Sequence, residues 1–319
     1  MARNKLPSVQ IAGINLQRNL VVQLAMTLLF AVSVVLAQGG AATSPQASDS
    51  WKQVETAMGR TGQSQPGDVI KFALPRKDLQ VKVSDVHVKP GLALGSWVAF
   101  KREVGAAMVM GDLVLIEDEV EPVMMKLQEG GIEESALHNH LLGESPRVMY
   151  MHIAGHGDPV KMATAIHDAV ALTKTPGPDA SPASPVQADL GFDQKQVEQT
   201  LGRTGKVNGG ILQFAVPRAE QITDSGMEVP PSMGVATALN FQPTGGGKAA
   251  ISGDFVLLGT EVNPVLRALR ESGIEVTAVH SHMLTEQPRL FFMHFWANED
   301  AVKLAKGLRA GLDKTNSAH

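Results

Sequence analysis

The sequence predicts an α+β protein of two tandem homologous domains, each a mostly antiparallel sheet packed with two to three helices. Three observations carry this expectation. Residue patterns recur at a constant spacing of 142 positions (280 − 138, 286 − 144, 294 − 152), the mark of an internal repeat. Short strand-like runs outnumber helical stripes and follow one another at hairpin spacing. The stripe Val120, Val123, Met124, Leu127 returns as Val262, Val265, Leu266, Leu269, the i, i+3, i+4, i+7 face of a helix buried on a sheet.

The elements follow in chain order. Arg3, Lys5 and Arg18 precede an uncharged apolar run from Leu20 to Ala37. Residues 1–37 therefore read as a signal peptide cut before Gln38, or as an N-terminal anchor. A polar leader covers 38–50, the first repeat domain 51–173, a Pro/Ala/Ser-rich linker 174–190, and the second repeat domain 191–315. Each repeat opens with a short helix (about 51–58 and 193–201) ended by a glycine turn, Gly59-Arg60-Thr61-Gly62 and Gly202-Arg203-Thr204-Gly205, where glycine supplies positive φ. Strands are expected over Val69–Leu74, Val81–Val88 and Leu94–Phe100, then Ala106–Met110 turning through Gly111-Asp112 into Leu113–Glu117. Pro122 and Pro264 are placed in the first turn of the next helix, where a missing N–H costs little. Two further strands and a closing helix (about 159–172 and 299–312) complete each unit.

The 319 residues suit roughly two domains, and 44% hydrophobic residues suit a globular core. A net charge of −4 without a basic stripe argues against nucleic acid as partner. The chain has no cysteine, which excludes disulfides, thiolate nucleophiles and Cys-type zinc knuckles. Any metal is left to His, Asp or Glu. Gly245-Gly-Gly-Lys248 lacks the spacing of a phosphate loop, and neither a Gly-x-Ser-x-Gly elbow nor His-Glu-x-x-His is present.

One constellation carries chemistry. His138-Asn-His140, Glu144, Pro146, Arg147 and His152 return as His280-Ser-His282, Glu286, Pro288, Arg289 and His294. Two histidines two apart on a strand share a face. A hairpin centred on Pro146 sets His140 opposite His152 (140 + 152 = 292). One centred on Pro288 sets His282 opposite His294 (282 + 294 = 576). Cross-strand partners have Cβ atoms about 4.5–5.5 Å apart, close enough for two imidazoles to meet one ion at about 2.0–2.1 Å. The predicted metal ligands are therefore His138, His140, Glu144 and His152, and His280, His282, Glu286 and His294. Glu144 and Glu286 double as candidate general bases beside a bound water. The cofactor expected is a divalent transition metal, zinc first, with Cu, Mn, Fe and Ni open. One site per repeat, a single site in one repeat, and a joint site at a pseudo-twofold interface all stay open, as does a purely structural role for the histidines. His156, His87 and His167 are weaker candidates. Asp112 and Asp254 read as turn residues, and Arg147 and Arg289 as ion-pair partners of the motif glutamates.

Taken together, Gly-Arg-Thr-Gly, Phe72-Ala-Leu-Pro75-Arg76 with Phe214-Ala-Val-Pro217-Arg218, Met110-Gly111-Asp112, and the His-x-His-x-x-x-Glu-x-Pro-Arg run resemble the LppY/LpqO family of exported bacterial proteins. The resemblance spans about residues 51–172 and 193–314. It implies export and a duplicated domain, and no activity. Several members look like lipoproteins, from which this cysteine-free chain departs. A looser likeness to cupins extends only to the logic of His-x-His, Glu and a later His.

Three functions are compatible with these residues. The first is an exported divalent-metal-binding protein, periplasmic or extracellular, with a site in each repeat. The second is a metal-dependent enzyme of hydrolase type acting on an envelope or nutrient molecule. The third is a non-metal envelope interaction module. Expected partners are a small-molecule or envelope ligand and the pseudo-twofold contact between repeats, with no membrane contact beyond the N-terminal segment.

Overall fold

Each copy builds six of its strands into one antiparallel sheet. The computed structural model describes residues 47–178 and 189–318; the segment read as signal or anchor, most of the leader, and the middle of the linker lie outside these. The first copy runs α1 (Ala47–Met58), β1 (Gln63–Gln65), β2 (Val69–Pro75), β3 (Lys82–Val83), β4 (Val86–His87), α2 (Pro90–Ala93), β5 (Gly95–Glu103), β6 (Ala106–Ile116), α3 (Glu117–Glu129), β7 (Glu133–His138), β8 (Glu144–Ser145), β9 (Val148–Gly157) and α4 (Pro159–Val170). The second runs α5 (Gln194–Leu201), β10 (Lys206–Asn208), β11 (Ile211–Pro217), β12 (Thr223–Asp224), β13 (Met227–Glu228), β14 (Ala236–Gly245), β15 (Lys248–Leu258), α6 (Gly259–Glu271), β16 (Glu275–His280), β17 (Leu290–Asp300) and α7 (Ala301–Leu312). Strand order is β1-β2-β5-β6-β9-β7 in one sheet and β10-β11-β14-β15-β17-β16 in the other, so the expected α+β tandem architecture holds.

The shared motifs turn out to be structural fastenings. Gly59 and Gly202 adopt φ of 64° and 67° at the ends of α1 and α5. The Gly62 and Gly205 amides donate to Glu55 and Glu198 at 2.9 and 3.1 Å. A Cβ on Gly62 would stand 2.4 Å from Ile70, and one on Gly205 2.6 Å from Leu212. The Pro-Arg of the second motif is a buried anchor. Arg76 donates to Glu119 at 2.7 and 3.1 Å, to Asp78, and to the Val114 carbonyl. Arg218 does the same with Glu261, Glu220 and Val256. Such planar, bidentate pairing suits a guanidinium whose charge is otherwise costly to bury.

Three local expectations are corrected. Gly111-Asp112 is no turn: β6 is continuous for 11 residues and pairs with β5 and β9 through this point. The glycine is there because strands approach too closely for a side chain. A Cβ on Gly111 would lie 2.8 Å from the Trp97 carbonyl oxygen, and one on Gly253 1.9 Å from that of Ala238. Pro122 and Pro264 are the sixth residues of α3 and α6, past the first turn. The helices start early because Glu119 and Glu261 reach back to the Ile116 and Leu258 amides at 3.0 and 2.7 Å. The run Val81–Val88 is no single strand either. It breaks into β3 and β4 around Ser84, whose φ is 50°.

Period-two alternation decides how the copies meet. On β6, Ala107, Val109, Leu113 and Leu115 pack under α1, α3 and α4. The even-numbered Met108, Met110 and Val114 point the other way, into clusters that contain residues of the second copy. The second sheet divides likewise, with Ile251, Phe255 and Leu257 under its helices and Ala250 and Val256 toward the first copy. The layers are therefore helices, sheet, sheet, helices. An arm from each copy (Val81–Leu94 and Ile222–Val235) packs in the layer between the sheets. The contacts obey a twofold exchange. Ser135 donates to the His282 carbonyl at 2.5 Å, and Thr277, its counterpart (135 + 142), to that of His140 at 2.6 Å. Lys71 reaches the Ser232 carbonyl and Gln213 that of Gly91, both at 2.9 Å.

Candidate metal centre

The residues at the middle of this inter-sheet layer are the histidines. His152 on β9 lies between Asp112 on β6 and Ala136 on β7. His294 on β17 lies between Asp254 and Ala278. By the same parity as Tyr150 and Phe292, both face the other copy. His138 and His280 end β7 and β16, and His140 and His282 follow in the loops.

The hairpin register differs from the one read in the sequence. His138 pairs with Tyr150 and Ala136 with His152, a sum of 288 instead of 292. The second copy repeats this with His280 and Phe292, 572 instead of 576. Neither His140 nor His282 opposes a histidine on its own hairpin. The connection is a wide loop instead of a tight turn, because Glu144-Ser145 leaves the hairpin to pair with Val83 and Lys82. Gln287 is tied to Thr223 in the same way.

The imidazoles nevertheless converge, across the two copies. Ring centroids of His138 and His280 are 3.6 Å apart, those of His140 and His294 3.7 Å, and those of His152 and His282 3.6 Å. Donor atoms of His138, His140 and His152 lie within 4.8 Å of one another, as do those of His138, His280, His282 and His294. Tyr150 stacks on His140 at 3.3 Å and is held by its hydroxyl on the Ala93 carbonyl at 2.8 Å. Phe292 stacks on His282 at 3.5 Å.

The six Nε2 atoms of the cluster are buried and have no hydrogen-bond partner. Three of the opposite ring nitrogens face carbonyls: His294 Nδ1 with Gly253 at 2.9 Å, His280 with Ser281 at 3.3 Å, and His138 with Asn139 at 3.4 Å. A neutral imidazole that donates from Nδ1 presents a bare lone pair at Nε2, which is how proteins orient a ligating histidine. Buried polar atoms are otherwise nearly always paired. Six such orphans lie together here, in the two overlapping groups of donors.

Electrostatics agrees. Burial pushes His138 down to about 3 and His280 to about 4. It drives His140, His152, His282 and His294 well below the ordinary imidazole range, with neighbouring rings adding to the effect. The rings are thus neutral and free of protons that would compete with a cation.

Neither motif glutamate belongs to these groups. Glu144 accepts from Asn139 at 3.3 Å. Glu286, 1% exposed, accepts from the Leu290 amide at 2.9 Å and from Arg289 at 3.1 Å. The ion pair expected in the motif thus forms in the second copy. The carboxylates beside the histidines are Asp112 and Asp254. Asp112 Oδ2 is 3.9 Å from Nε2 of both His140 and His152. Asp254 is 3.6 Å from His282 Nε2 and 3.9 Å from His294 Nδ1. One oxygen of each is buried without a partner. Burial raises Asp112 to about 8, opposed by Lys71, and raises Asp254 well above the carboxylate range, with Asp112 contributing. A signal was present in the sequence: Asp112 is a lone acid inside the apolar run Ala106–Ile116, and Asp254 returns at the same place 142 positions later. His156, His87 and His167 are exposed and stand apart from the cluster.

The family described as "Domain of Unknown Function (DUF1259)" matches residues 52–172 and 195–314. No curated protein matches the chain. Among solved structures, a trimeric bacterial microcompartment shell protein, PduB, is similar at 14% identity and a TM-score of 0.21, covering 81% of this chain and 96% of its own. EtuB from Clostridium kluyveri is similar at 10% identity and a TM-score of 0.18, covering 79% and 90%. Likenesses this distant carry no argument about fold or function.

Proposed function

Because the chain belongs to this duplicated family of unknown function, which brings no reaction with it, we propose a function from its own residues: an exported protein that holds divalent transition metal between its two repeats. The observation that carries this reading is the meeting of six buried, unpartnered Nε2 atoms. Leaving each one unsatisfied costs about 1–3 kcal/mol, and coordination by a cation removes that cost. Imidazole with carboxylate suits zinc, copper, nickel or iron, and zinc is the first candidate.

A metal-dependent hydrolase needs a coordination position that substrate can reach. Here every Nε2 is closed off from solvent, and Glu144 and Glu286 are engaged elsewhere, which favours holding the ion over turnover. Export is supported by the basic residues ahead of the apolar run 20–37 and by the likeness of the motifs to the LppY/LpqO family. The test is elemental analysis of purified protein after supplementation with Zn, Cu, Mn and Fe, beside His140→Ala and His282→Ala. Stoichiometric metal in the wild type, reduced in both variants, is expected. Metal-free wild-type protein under every supplement overturns the reading.

A further inference from the structure

We propose that the centre is dinuclear, with one divalent ion on His138, His140, His152 and Asp112, and a second on His280, His282, His294 and Asp254. This deepens the metal reading and rests on it. The first argument is number. Six imidazoles and two carboxylates give eight donor groups, whereas zinc and its neighbours take about four to six. The second is reach. Nitrogens on one ion at about 2.0–2.1 Å lie within roughly 4.2 Å of each other. The donors here fall into two overlapping groups, His138 with His140 and His152, and His138 with His280, His282 and His294. His140 and His152 do not join the second group, so a single ion cannot satisfy all six.

The third argument is the exchange symmetry of the surroundings. Each trio has its own aspartate at 3.6–3.9 Å and its own aromatic backing, Tyr150 or Phe292. Three histidines, an aspartate and an aromatic ring therefore recur on each side. His138 and His280, 3.6 Å apart, stand on the boundary between the halves. Known two-metal sites hold their ions about 3.5–4 Å apart. Two aspartates against two divalent ions leave a net charge of +2, which one small bridging anion, hydroxide for example, would lower.

The experiment titrates EDTA-stripped full-length protein with Zn(II) and then with Cu(II). Bound metal is counted after gel filtration, and the copper form is examined by EPR. Two equivalents per chain are expected, with a Cu(II) signal weaker than two isolated ions give because close spins couple. His152→Gln with Asp112→Asn should bind one equivalent and show an uncoupled copper signal, and so should His294→Gln with Asp254→Asn. Circular dichroism confirms that both variants are folded, and either one suffices. One equivalent in the wild type overturns the dinuclear proposal and leaves the metal reading standing. No bound metal overturns both.

Discussion

Replacing His282 by phenylalanine separates a ligand from a packing residue. His282 is 7% exposed and its ring lies between Phe292 at 3.5 Å and His152 at 3.6 Å. Phenylalanine keeps both ring contacts and deletes the orphaned Nε2. In EDTA, the wild type carries the desolvation cost of that atom, about 1–3 kcal/mol, and the variant does not. The larger ring offsets part of the gain. A net increase of about 1 kcal/mol is expected, or about 2 °C in Tm for a protein of this size. With zinc the order reverses. The wild type should gain about 4 kcal/mol at a thousandfold excess over Kd, and the variant much less. Calorimetry in EDTA and in zinc reads both effects. If the variant loses 2 kcal/mol or more in EDTA, as a core substitution would, and zinc leaves the wild type unmoved, the ligand argument fails.

In metal-free protein, stability should peak near pH 6.5. Histidines with depressed pKa values contribute stability that is full above the unfolded value of about 6.5 and lost as pH falls. Asp112, raised to about 8, and Asp254, raised well above the carboxylate range, contribute stability that is lost as pH rises toward their folded values. Below 6.5 six histidines outweigh two aspartates, and above it the aspartates dominate until Lys71, lowered to about 8 by burial, begins to work the other way at the top of the range; urea midpoints in EDTA that rise steadily from pH 5 to pH 8 would contradict this. Arg218→Ala should cost about 3–5 kcal/mol, because Glu261 is left buried and uncompensated. Arg218→Met with Glu261→Gln, which removes the stranded charge and keeps an acceptor for the Leu258 amide, should recover part of that loss in urea unfolding. Gly253→Ala should destabilise more than Gly111→Ala, since the added carbon meets a carbonyl oxygen at 1.9 Å rather than 2.8 Å; equal denaturation midpoints would remove the close-approach account of these glycines.

The repeat and the buried helix faces were legible in the sequence because they are local patterns. Val123 and Leu127 are fully buried, as are Val265 and Leu269, where the helical stripe put them. The histidines were legible as a set, since three of one kind at fixed spacing recur. What joins them was not. Convergence runs between copies, through contacts such as His140 with His294, and no pattern within one repeat encodes a partner 154 positions away (294 − 140). Asp112 was misread because Gly-Asp resembles a turn. A glycine needed for close strand approach and one needed for a turn look alike until the neighbouring strand is placed.

The exchange of contacts between the copies is the symmetry of a C2 homodimer, here locked into one chain. A dimer of identical subunits must offer two equal half-sites, because any substitution appears twice. A fused chain escapes that rule. Tyr150, stacked on His140, corresponds to Phe292, stacked on His282, and Lys71 corresponds to Gln213. Lys71 adds a positive charge felt by Asp112, and its counterpart at Gln213 carries none. Covalent tethering therefore frees the two halves to diverge, and Lys71 against Gln213 is one such divergence already in place.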